Sequence, residues 1–318
     1  MKHTADKRIF DLHCDTLTTG ERAGEDLVNQ GMHFSLDRLP QGFRLCQCMA
    51  VFMPDEYRGK DAEDYFDKIV GYYHNQLEKY QDRASPVADT ACVAQLLEEK
   101  ELALMLTVEG GSALAGKLEN LYKLRDSGVK MMTLTWNGAN ELCGGAATNE
   151  GFTPFGRKVV SLMEELGIVV DVSHLSDKGF QELCGFARRP FVASHSNSRA
   201  VCNHRRNLTD AMFTEIVDRG GLVGLNYFRK FIVEDGETET IDDLMRHVHH
   251  LLALGGEDVL ALGSDFDGAD IPDYLAGLEK VEHLRDTFIS AGISPEITEK
   301  IFFENARRFF ADYADQTI

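Results

Sequence analysis

Residues 156–174 read GRKVVSLMEELGIVVDVSH, and the order of features within them points to the architecture of the whole chain. The first twelve, GRKVVSLMEELG, carry apolar residues at helical spacing. Gly167 stands where a helix C-cap belongs. The run that follows, GIVVDVS, is short, apolar and β-branched, as a buried strand is, and it ends at a polar residue, His174.

Outward from this unit the same alternation repeats about eight times. The expected strands are RIFDLH (8–13), LCQCMAVFM (45–53), LALMLTV (102–108), VKMMTLT (129–135), GIVVDVS (167–173), PFVASH (190–195), GLVGLN (221–226) and DVLALGS (258–264). Helical periodicity marks residues 62–80, 91–100, 118–128, 156–167 and 241–256, with Gly128, Gly167 and Gly255 as stop signals. Strand–helix alternation implies parallel strands with right-handed crossovers, and eight such units are the number that closes a barrel. The expected fold class is therefore α/β, a (β/α)₈ TIM-type barrel. An open doubly wound sheet usually brings a glycine-rich phosphate loop after its first strand, and DLHCDTLTTGERAG is not one. No Pro-, Gly- or Ser-rich linker divides the chain, so residues 1–318 are expected to form a single barrel domain.

Composition narrows the partners. A formal charge of −19 argues against nucleic acid, which needs a basic face. No stretch approaches the roughly 18 uncharged apolar residues of a membrane span. The opening MKHTADKRIF has no apolar run behind its positive charges, so no signal peptide is expected and the cytoplasm is the expected compartment. Seven scattered cysteines make no disulfide framework, and Cys46 and Cys48 are expected to be buried strand residues.

The informative pattern is which residues end the strands. His13 and Asp15 follow RIFDL, Glu109 follows LALMLTV, His174 follows IVVDVS, His195 follows PFVAS, and Asp265 follows VLALGS. In a barrel these ends converge on the rim where active sites are built. His13 and Asp15 are two apart, so on a strand they share a face with Cys14 turned away. Imidazole nitrogen and carboxylate oxygen both suit zinc. The rival reading has Asp15 capping the next helix, His13 bonded within the core, and Glu109 meeting backbone N–H groups. Two histidines on consecutive strands, with three acids on others, favour metal. The set suffices for two ions if one carboxylate bridges them, and such a pair can share a hydroxide and polarise a carbonyl. His247, His249 and His250 lie in an amphipathic helix and are read as a solvated face.

The motifs DLHCD, TVEGG, MTLTWNGAN, DVSHLSD, SHSNSRAVCNHRRN and GSDFDG resemble, in order and spacing, those of the membrane (renal) dipeptidase family of zinc peptidases and its bacterial relatives. The likeness runs from DLHCD to ENARRFF, nearly the whole chain. It implies hydrolysis of dipeptides, L-D dipeptides included, by a hydroxide bridging two Zn²⁺ ions. It implies that His13 and Asp15 bind one zinc, that Glu109 bridges both, and that His174 and His195 bind the second. Asp265, rather than Asp267, would then move the proton, and Arg206 would bind the substrate carboxylate, its planar fork matching that group. It further implies a homodimer. The chain departs from mammalian members at Trp136, where they have a histidine that contacts substrate. An indole N–H can only donate, so Trp136 either contributes that donor or walls the pocket, with Asn137 or Asn140 as further candidates for substrate contact. Other binuclear barrel hydrolases, deaminases and cyclic amidases, usually start with His-x-His where this chain has His-x-Asp. A non-catalytic barrel would be favoured by loss of the proton-moving acid, and Asp265 is present.

Overall fold

The computed structural model describes residues 7–236 and 240–315. Nine parallel strands run through it: β1 (Arg8–Cys14), β2 (Arg44–Phe52), β3 (Ala84–Pro86), β4 (Leu102–Glu109), β5 (Met131–Thr133), β6 (Val169–Asp171), β7 (Val192–Ala193), β8 (Leu222–Leu225) and β9 (Leu260–Leu262). Eight of them close a ring in the order β1-β2-β4-β5-β6-β7-β8-β9, with β9 returning to β1 through Asp11 and Leu262. Helices surround the ring, which is the TIM-type (β/α)₈ arrangement expected from the alternation. All eight expected strands are present, several shorter than their apolar runs. The ninth, β3, was not expected: three residues carry no readable alternation. It pairs with Leu102–Leu104, on the edge of β4 that β5 takes over from Thr107.

The strands are apolar on both faces because both are covered. Alternate residues fill the lumen: Phe10 and Leu12, Cys46 and Cys48, Ala103 and Met105, then Met131, Val169, Val192, Leu222 and Ala261. The intervening ones, such as Ile9, Leu45 and Leu104, join the outer core beneath the helices. The C-terminal segment stops the lumen from below, with Phe310 stacked on Phe10 at 5.4 Å. Each buried Phe, Leu, Met or Val there contributes roughly 1.5–3 kcal/mol. Access is left to the other end, where the strands' C-termini emerge.

The unit at 156–174 forms as its sequence dictates. Thr153 accepts the N–H of Gly156, Pro154 opens the helix Pro154–Leu166, and Gly167 caps it at φ 72°. In the helix Ile241–Ala253 one expectation fails. His249 is exposed, but His247 is fully buried, its Nδ1 accepting from the Ser198 N–H and its Nε2 donating to Ile232 O at 2.9 Å. It lies on the face of Leu244, Val248 and Leu251, where an imidazole with both nitrogens bonded is tolerated. All seven cysteines are free, and Cys46 and Cys48 are buried as expected. Among the described residues no helix is long and apolar enough to cross a membrane.

Candidate metal centre

Simple alternation along β1 would turn His13 away from the lumen. Phe10 and Leu12 point inward, which assigns odd positions to the outside. A bulge reverses this. Asp11 opposes Gln47 while Cys14 opposes Met49, so three steps on β1 match two on β2. Cys14 therefore joins the outer core, and His13 faces the barrel mouth. Asp11 clamps the bulge, accepting the N–H groups of His13 and Ser264 and the Gln47 amide. Asp15 stands just past the strand, before the helix Thr16–Ala23, but its side chain makes no capping bond. The capping alternative for Asp15 is thereby excluded. Its Oδ2 lies 3.5 Å from His13 Nε2.

Glu109, the last residue of β4, is buried at the centre. Its Oε2 is 3.6 Å from His13 Nε2, and its Oε1 is 2.9 Å from His174 Nε2 and 3.4 Å from His195 Nε2. His174 sits past β6 at φ 66°, a left-handed backbone that costs a non-glycine residue energy and turns the ring into the mouth. The rings of His13 and His195 stack at 3.9 Å. His13, Glu109 and His195 offer ligand atoms within 4.8 Å of one another, as do His13, Asp15 and Asp265. All five expected ligands are thus brought together. Asp265 also comes within ligand range, Oδ1 being 3.9 Å from His13 Nε2, although the resemblance gives it proton transfer and not ligation.

Hydrogen bonding tests whether a cation fits. Ser194 Oγ is 2.6 Å from Asp171 Oδ2 and 2.7 Å from His195 Nδ1. With the hydroxyl proton directed to the carboxylate, which can only accept, Nδ1 would carry the imidazole proton and Nε2 would be bare. Asn137 turns its Oδ1 to His174 Nδ1 at 2.9 Å, which leaves that Nε2 bare too. The two bare nitrogens lie 3.0 Å apart, beside a Glu109 oxygen. Lone pairs so crowded repel unless a cation sits among them. His13 Nε2 and Asp15 Oδ1 are also buried without a hydrogen-bond partner. This nitrogen and oxygen set fits zinc.

The electrostatics agree. Burial, reinforced by His13 and Arg206, holds His174 and His195 well below the usual histidine range, so both stay neutral. Burial and the charge of Asp15 push Glu109 up, and burial pushes Asp265 up. Burial opposes charge on His13, yet Glu109 and Asp15 outweigh it and carry its pKa to about 10. The cluster holds more anionic lone pairs than positive charge, and it gathers a proton where it can.

A cleft of about 810 Å³ opens above the cluster, lined by Glu109, His174, Asp265, Arg206, Trp136 and Phe52 among others. Arg206 is buried at its edge, with Nη2 donating to His195 O at 3.3 Å and Nε unpartnered. Burial lowers its pKa to about 10, still a cation at neutral pH. Trp136 packs edge-on against Phe52 at 5.1 Å and forms a wall. Asn137 lines the cleft but orients His174, while Asn140 braces its own loop through Leu134, Leu142 and Cys143. Asp267 is turned into structure, accepting from Thr16 and from the His33 and Phe34 N–H groups. Three supporting residues went unread in the sequence: Asp171, Ser194, and Asn226, which donates to Asp265 Oδ2 at 2.9 Å. The signal available was the polar residue placed one to three positions before each histidine, in DVSH and ASH.

The chain is similar to several known proteins. A "metallo peptidase from Rhodobacter sphaeroides", liganded with a phosphinate mimic of the dipeptide L-Ala-D-Ala, superposes with a TM-score of 0.90 at 25% identity, covering 98% of this chain and 99% of its own. A second solved structure, "dipeptidase AC", a metallo peptidase of family M19, gives 0.91 at 26% identity, covering 96% and 98%. A Klebsiella pneumoniae sequence described as an uncharacterized protein in the pqqA 5′ region is 32% identical over 226 residues, 68% of this chain and 83% of that one. The family model "Membrane dipeptidase (Peptidase family M19)" matches residues 3–317, and the chain belongs to that family.

Proposed function

We propose that this chain is a zinc-dependent dipeptidase, one catalytic domain over residues 1–318, that hydrolyses the single amide bond of dipeptides, L-D dipeptides included. The observation that carries the reading is the convergence of bare His174 and His195 nitrogens on Glu109, with His13 and Asp15 opposite, at the floor of a cleft edged by a buried arginine. His13, Asp15 and Glu109 would hold one zinc, and Glu109, His174 and His195 the other. The chemistry such ions would supply is Lewis acidity, activating a water towards neutral pH and polarising the scissile carbonyl.

The remaining chemistry belongs to side chains. Asp265 takes the water's proton and delivers it to the leaving amine. Asn226 ties its Oδ2 and leaves Oδ1 towards the cluster, and burial helps the carboxyl keep a proton between the two steps. Arg206 binds the free C-terminal carboxylate through its unshared donors, which fixes the length of substrate the cleft accepts. Trp136 shapes the cleft against Phe52, and Asn137 contacts the substrate beside His174. The mimic of L-Ala-D-Ala held by the Rhodobacter sphaeroides relative supports a D-residue at the second position. A homodimer completes the proposal, by family resemblance.

The test is a panel of L-L and L-D dipeptides given to zinc-loaded protein, with a chelated control. Zinc-dependent release of free amino acids is expected, with both stereochemical classes cut. No turnover by protein holding two zinc ions per chain would overturn the reading and turn the search to other amides.

A further inference from the structure

Four donors converge on the carboxylate of Asp171, the fully buried last residue of β6. The backbone N–H groups of Ser173 and Ser194 reach Oδ1, both at 2.9 Å. The hydroxyls of Thr133 and Ser194 reach Oδ2, both at 2.6 Å. An ionised carboxylate has four lone-pair sites and no donor, so the set is complete. Asp11 plays a similar part in the middle of β1, taking the N–H two residues on and one from the neighbouring strand end. Only Asp171 extends the pattern to a histidine. Ser194 Oγ, its proton committed to Asp171, has a lone pair 2.7 Å from His195 Nδ1. The Ser194 and Thr133 hydroxyls and the Asp171 carboxylate form a chain outside the cleft lining, on β5, β6 and the end of β7.

We propose that Asp171, acting through Ser194, holds His195 in the tautomer with its proton on Nδ1, so that Nε2 presents a lone pair to the metal centre. Asp171 and Ser194 are positioning residues and touch neither substrate nor ion. A serine hydroxyl alone could donate to Nδ1 or accept from it, which would leave the tautomer open. The carboxylate removes that freedom, because it can only accept. The buried Thr133 hydroxyl fills the remaining site on Oδ2, and the two backbone donors fix the carboxylate's plane. Hydrogen-bond partners of metal-binding histidines typically govern metal affinity by about 10–100-fold.

The proposal rests on the reading of the cluster as a metal site, but its first measurement does not. In full-length protein labelled with ¹⁵N-histidine and freed of metal, His195 should show a protonated Nδ1 and an unprotonated Nε2. A native His195 protonated on Nε2 overturns the proposal, whatever any variant does. Ser194→Ala should lose the single tautomer and weaken zinc binding about 10–100-fold in chelator competition, while Ser194→Thr, which keeps the hydroxyl, should recover most of both. Asp171→Asn should leave Ser194 free to donate to Nδ1 and shift His195 towards the Nε2 tautomer. A merely structural role would lower the melting temperature in these variants and leave the histidine signal unmoved, and that result also overturns the proposal. None of these readouts needs hydrolysis. Zinc binding without dipeptide turnover would remove the dipeptidase reading and leave this one standing.

Discussion

Gly268 follows the two acids of the β9 loop and has no side chain to bring to the site, yet it sets where Asp15 can stand. A Cβ built there falls 1.8 Å from Asp15 Oδ2, 2.8 Å from its Cγ and 3.0 Å from Asp265 Oδ1. Ordinary contact begins near 3.4 Å, so in Gly268→Ala the Asp15 oxygen must retreat by about 1.6 Å. The glycine's own φ lies outside the left-handed range, so alanine brings steric conflict without backbone strain. Metal ligation tolerates about 0.2 Å, and a misplacement of about 1 Å in a reacting site can cost 10²-fold. We expect Gly268→Ala to bind close to one zinc per chain instead of two, keeping the ion held by Glu109, His174 and His195. Its kcat/KM for a dipeptide should fall at least about 100-fold, while overpacking costs about 1–3 kcal/mol of stability. Metal analysis, dipeptide kinetics and urea unfolding read these three quantities. A variant with two zinc ions and native kcat/KM would refute the steric argument and the assignment of Asp15 as a ligand.

Three further outcomes are expected. Arg206→Gln removes a charged fork worth about 1.5–3 kcal/mol to a bound carboxylate, so kcat/KM for free dipeptides should drop about 10–100-fold. C-terminally amidated dipeptides should be cut equally by variant and native protein, and an equal drop on both would refute the role. Asp265→Asn should lower kcat by about 10²–10⁴-fold with zinc content unchanged, whereas loss of an ion would make Asp265 a ligand. His247 is held neutral by burial, its pKa lowered to about 4 from the ordinary 6.5. Between those values the unfolded chain binds a proton that the folded one does not, so stability falls as pH falls through that window. The group should cost native protein about 2 kcal/mol between pH 7 and pH 5. His247→Gln lacks that component, so urea unfolding should show the stability gap between the two proteins narrowing as pH is lowered. An unchanged gap would refute the linkage.

Much of the molecule was legible in the chain. Strand and helix periods are local properties, and apolar runs such as IVVDV or LALMLTV form strands wherever both faces are buried. The residues that end those runs were legible for the same reason, since a parallel barrel brings its strand ends to one rim whatever the side chains are. His13, Asp15, Glu109, His174, His195 and Asp265 were placed by counting alone. Helical burial was less legible: a histidine reads as polar in any pattern, and only the Ser198 N–H and the Ile232 carbonyl make His247 acceptable inside.

Orientation belonged to the tertiary structure. Period-two alternation sets His13 and Asp15 on one face but on the wrong side of β1, and the bulge that corrects it is a register shift against β2, a strand distant in sequence. The bonds that decide which nitrogen of His195 is bare cross from β6 to the end of β7, and the space Asp15 Oδ2 occupies is open because Gly268, on the β9 loop, has no Cβ. The repeating unit and the groups that end each strand are readable in the chain because each depends on neighbours along it, and eight such repeats imply a closed barrel. Only the folded barrel decided which way those groups point and which of their lone pairs are left unshared, because hydrogen bonds and steric contacts between strands distant in sequence exist only once the ring has closed.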